Sequence, residues 1–140
     1  MTGNDTHAEE RFRESLTRLP QLADPTIQVN FAEEIRKLKS SPGWEQPIGR
    51  SSATLVKHEN LRIVLVLMKA GSRMSHHRTE DPISIHTLQG RIRLEIPQHE
   101  TYEIGSGELL SLQGNLDHDV AAMEESAFLL TIGGAMSGRS

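Results

Sequence analysis

The sequence contains no cysteine. That excludes disulfides, thiolate metal ligands and a cysteine nucleophile, without fixing the redox compartment. Aromatic residues make up only 4% of the chain, so a core must rest on Leu, Ile, Val and Met. Long hydrophobic runs are absent too. The longest apolar stretch, 63–68, is far too short to span a bilayer, so no membrane partner is expected. Basic residues are the minority, 15 Lys and Arg against 19 Asp and Glu, for a formal charge of −4. Binding phosphate calls for a basic face, so no nucleic-acid partner is expected. Residues 1–10 are polar and carry no apolar run, which does not read as a secretory signal. Cytoplasmic is the expected compartment.

What is present is one domain's worth of chain, 140 residues, whose character changes near residue 50. Before that point the periodicity is helical. Thr6 and Glu9 have capping-box spacing, and Phe12, Leu16 and Leu19 follow on one helical face, predicting a helix over 6–19. Residues 20–29, with Pro20 and Pro25, read as a linker. Asn30 and Glu33 read as a second N-terminal cap, followed by the stripe Phe31, Ile35 and Leu38, predicting a helix over 30–40. Ser40, Ser41, Pro42 and Gly43 stop it. Neither stripe carries enough apolar surface to stand alone, so both helices should dock on something larger. Trp44, the only tryptophan, reads as an anchor for this segment.

After residue 50 the pattern becomes short β segments: 53–57, 61–68, 83–89, 91–96, 100–104, 109–112, 118–122 and 127–132. Turn signals separate them, such as Glu59-Asn60, Gly90, Gly105-Ser106-Gly107 and Gly114-Asn115. Short strands at this spacing predict an all-β sandwich, jelly roll or barrel over 51–132. Residues 1–50 form a helical extension and linker, and 133–140 a small polar tail expected to fray. The strand 61–68 is apolar on both faces, so one face can fill a barrel lumen while the other needs a helix or a second subunit.

Two spaced patterns resemble the cupin family. In the first, Gly71 opens, His77 stands at the first His and Gly90 closes, while Thr79 replaces the second His and Ile83 replaces the Glu. In the second, Gly107 opens and His118 matches the His, while Gln113, Asn115 and Ala122 replace Pro, Gly and Asn. Asn for Gly is a mild change, because Asn tolerates the left-handed backbone of a tight turn. The resemblance covers most of the chain after residue 50. It implies a double-stranded β-helix, or jelly-roll, barrel with short N-terminal helices outside it. It also implies a homodimer and a small-molecule ligand in a pocket of His77, Thr79, Ile83 and His118.

Cupins hold a divalent metal with three His and one Glu, and only two of those positions, His77 and His118, keep a ligating residue. A catalytic metal usually has three protein ligands and an open position. The resemblance therefore implies either no metal or weakly bound Zn, Ni, Fe or Mn. His77 and His118 read equally as a hydrogen-bonded pair without metal. His76 should point away from His77, because neighbours on an extended segment face opposite ways. His86 should face outward by the alternation of its strand, and His58, before a turn, should be solvent-exposed. Arg91 and Arg93 read as a solvated strand face. Two functional classes follow. The reduced metal positions favour a non-enzymatic small-molecule-binding or sensory protein. The alternative is a metal-dependent dioxygenase or isomerase using the reduced His site.

Overall fold

The structure is a computed structural model that describes residues 21–45, 47, 49–77 and 79–134, with backbone alone at His76 and His77. The predicted helix over 6–19 and the tail from 135 lie outside the described residues. The second helix, α1, spans Phe31–Lys39. Asn30 caps it as the sequence predicts: its side-chain oxygen accepts from the Glu33 amide at 3.0 Å. A 3-10 turn, Pro42–Glu45, follows.

Among the described residues nine strands come next: β1 Arg50–His58, β2 Leu61–Met68, β3 Arg73–His77, β4 Ile83–Gln89, β5 Arg91–Glu95, β6 Thr101–Gly105, β7 Leu109–Leu112, β8 His118–Ala122 and β9 Ser126–Gly133. They form two antiparallel sheets, ordered β1-β2-β9-β4-β7 and β3-β8-β5-β6. This is the all-β jelly-roll barrel expected.

Side-chain alternation divides the apolar residues between two cores. Val66, Met68, Ile85, Leu94 and Phe128 meet between the sheets and fill the lumen. Thr87, fully buried among them, donates its hydroxyl to the Ile104 carbonyl at 3.0 Å, which removes the penalty of burying it. Leu65, Leu67 and Leu129 point the other way, where Ile35, Leu38 and Trp44 cover them. The second apolar face of β2 is thus sealed within the chain. Lys69 Nζ lies 5.2 Å from the Trp44 ring, adding a cation–π contact to that anchor. The outer face of the second sheet is charged instead. Arg73 meets Glu95, and Arg91 and Arg93 both approach Glu103.

Several expectations need correction. Arg73–His77 is a strand that the pattern missed, because only Met74 in it is apolar and a register shift interrupts its pairing with β8. The segment 20–29 is no free linker where described: Ile27 and Val29 pack on the outer core, and the Lys57 amide donates to the Leu22 carbonyl at 2.8 Å. Phe31, counted in the apolar stripe of α1, remains 39% exposed. Strand pairing begins at Arg50 and reaches Gly133, one residue beyond the predicted barrel at each end.

Candidate site at the barrel mouth

The ligand positions of the two patterns, His77, Ile83 and His118, gather at one end of the barrel, while Gly71, Gly90 and Gly107 set turns at the other. Gly90 lies at φ +81°, and a Cβ there would come within 2.8 Å of the Ser126 Cα, so no other residue fits. Asn115 takes the left-handed conformation at φ 67°, as its place in the second pattern demands. Its amide donates to the Thr79 carbonyl at 2.7 Å, tying the turn before β8 to the loop before β4.

His118 opens β8, is only 6% exposed, and has Nδ1 3.1 Å from the Leu116 carbonyl. His77 ends β3 with its Cα paired to that of His118. The backbone thus brings the two motif positions together across neighbouring strands; the His77 side chain lies outside the described residues. Ile83 opens β4, buried in the lumen wall where the resemblance places a Glu. The Thr79 hydroxyl is held by its own loop: it donates to the Asp81 carbonyl at 2.8 Å and accepts from the Asp81 amide at 2.9 Å. Thr79, Ile83 and His118 line one cleft with Leu112, Gln113 and Leu116. Among the described residues that cleft is too narrow for a water-sized sphere.

Roomier space lies immediately outside. A cleft of about 680 Å³ is bordered by Ala23, Lys57, His58, Glu59, Arg62, Thr79, Asp81 and Ile132. Thr79 and Asp81 belong to both clefts. Strand register explains their continuity. Lys57 pairs with Arg62, Arg62 with Ile132, Ile132 with Ile83, and Ile83 with Leu112. Directly paired residues share a sheet face, so these five form one row on the lumen side of the first sheet. The row turns from apolar at Leu112 and Ile83 to cationic at Arg62 and Lys57.

Sequence reasoning missed Lys57 and Arg62. Arg62 has the parity of Val64, Val66 and Met68, which could have placed it on the lumen side. Lys57 could not be placed, because a register shift between Thr54 and Val56 reverses the alternation of β1. His58 is half-buried rather than exposed, with Nε2 2.8 Å from the Asp24 carbonyl of the returning N-terminal segment. His86 is half-buried on the strand face opposite Ile83 and Ile85, as alternation implies.

Among the described residues no group of three or more His, Asp or Glu is placed to hold a metal ion. Among the described side chains, the His118 imidazole stands beside an isoleucine and a hydroxyl committed to its own loop, and these three alone do not make up the donor set of a divalent ion. No helix among the described residues is long and apolar enough to cross a membrane.

No family model and no curated protein matches the sequence. Solved structures do. A conserved protein of unknown function from Streptococcus pyogenes superposes with a TM-score of 0.58 at 24% identity, over 64% of this chain and 77% of that one. A cupin superfamily protein from Desulfitobacterium hafniense gives 0.57 at 15% identity, over 60% and 76%. Salicylate 1,2-dioxygenase from Pseudoaminobacter salicylatoxidans gives 0.70 at 13% identity, over 80% of this chain but only 34% of that larger one. The strand order, the placement of His77, Ile83 and His118 at one end of the barrel and these neighbours agree: this chain has the cupin fold.

Proposed function

We propose that this protein is a non-enzymatic, small-molecule-binding cupin of the cytoplasm whose ligand sits at the barrel mouth. The observation that carries the reading is Ile83, buried where an anionic ligand to a metal would be required. An apolar wall raises the cost of holding a bare cation, since a buried charge needs partners. The adjoining cleft supports it further, because its volume of about 680 Å³ falls within the roughly 300–1,000 Å³ of small-molecule sites. A homodimer belongs to this reading. Leu109, 60% exposed on the edge strand β7, offers an apolar contact for a second copy.

A metal-dependent enzyme is the second reading, favoured by the pairing of His77 with His118. Metal analysis of protein purified without chelators or a metal-affinity tag separates the two. Sub-stoichiometric metal, and titrations with Zn, Ni, Mn and Fe(II) that show only weak binding, are expected. Tight stoichiometric metal lost in both His77→Ala and His118→Ala would overturn the proposal in favour of the enzyme.

A further inference from the structure

Lys57 and Arg62 stand directly opposite each other on β1 and β2, on the same sheet face. Like charges so placed repel, and an arrangement serving the fold alone would set an acid against one of them. Elsewhere the same chain does this: Arg93 pairs in register with Glu103 and approaches its carboxylate at 3.7 Å. Among the described residues neither Lys57 nor Arg62 has an ion-pair partner. Two acids border the same cleft, Glu59 at the hairpin tip and Asp81, but neither pairs with these cations. The cationic pair continues into the apolar steps Ile132 and Ile83. Within the cleft itself the two cations stand beside Ile132, with Ala23 its other apolar border, which matches a molecule with a charged head and a small hydrocarbon body.

We infer that the mouth cleft selects a small organic monocarboxylate, its carboxylate held between Lys57 and Arg62 and its apolar body over Ile132. This rests on the small-molecule reading above and names the chemical class that the site takes. Arg62 supplies a planar fork that can meet both carboxylate oxygens, and Lys57 a flexible point charge beside it. Lys57 and Arg62 are both solvent-exposed, so the head group stays hydrated on its outer side and salt should weaken binding.

The test uses the full chain, ¹⁵N-labelled, titrated with straight-chain monocarboxylates of two to eight carbons and with the matching primary amides. Amide shifts of 57–62, 79–83 and 131–133 report on the cleft. The expected result is saturable binding of carboxylates that strengthens with chain length. The matching amides should bind at least tenfold more weakly, and Lys57→Gln/Arg62→Gln should lose at least tenfold in carboxylate affinity. Both positions are solvent-exposed, and the substitution relieves a repulsion, so the melting temperature should hold or rise. Equal binding of carboxylate and amide, unaffected by the double substitution, would overturn the charge selection while leaving the small-molecule reading intact. Absence of saturable shifts with either series would overturn the inference, and stoichiometric metal in the same sample would overturn the parent reading as well.

Discussion

Replacing Ile83 by Glu restores the acidic residue of the first motif and probes what the lumen wall tolerates. Ile83 is 4% exposed and packs within the inner core. Removing its side chain from apolar contact forfeits about 1.5–3 kcal/mol of burial. A carboxyl placed there without a hydrogen-bond partner adds about 1–3 kcal/mol on the scale of protein substitutions. The sum, roughly 2.5–6 kcal/mol, is a large part of the roughly 5–15 kcal/mol that stabilises a domain. At roughly 2–4 °C per kcal/mol for a chain near this length, the melting temperature should fall by about 5–24 °C. Burial favours the neutral acid, so the introduced carboxyl should titrate above an ordinary glutamate. Its deficit is then smallest below the unfolded-state value and grows as pH rises through the folded one. Thermal unfolding followed by circular dichroism at pH 5 and pH 8 reads both effects. If His77 and His118 converge on the introduced carboxylate, zinc should recover about 4 kcal/mol at a thousandfold excess over its dissociation constant. A loss under about 1 kcal/mol with no pH dependence would mean that the position is hydrated, refuting the apolar wall.

Three further outcomes follow from the packing. Trp44→Ala should cost about 3–5 kcal/mol in chemical denaturation, because it empties the contact between the N-terminal segment and β2; a loss below about 1 kcal/mol would show that the segment does not seal the barrel. Gly90→Ala should destabilise by more than about 2 kcal/mol, combining a left-handed backbone with the clash at Ser126, and near-wild-type denaturant midpoints would contradict the turn described. The Glu33 carboxyl accepts a hydrogen bond from Arg36, which holds it below the usual glutamate range. Its contribution to α1 is therefore present above the unfolded-state value and lost as pH falls through the lowered one. A ¹³C NMR titration should show the depression vanish in Arg36→Gln, and an unchanged midpoint would remove Arg36 as the cause.

Local chemistry was enough to read the strands that alternate strongly, the Asn30 cap, the turn glycines and the left-handed Asn115. Each depends on residues near one another in the chain, where side-chain period and backbone sterics act directly. The resemblance in spacing assigned His77, Ile83 and His118 to one pocket before any coordinates, because motif spacing encodes how many residues separate successive strand ends. Arg73–His77 escaped because its pairing with β8 is bought by neighbours distant in sequence rather than by its own apolar pattern. The cover over β2 was left open between a helix and a second subunit, and only packing showed Ile35, Leu38 and Trp44 there. The mouth cleft as a whole emerged only in the tertiary structure, although the parity of β2 already gives the side of Arg62. Lys57 and Arg62 share a face with Ile132 and Ile83 only because a bulge in β1 and the strand register put them in one row. Register is a long-range property: it is set by which strands pair and where, and without the one-residue shift in β1 Lys57 would have turned to the other side of the sheet.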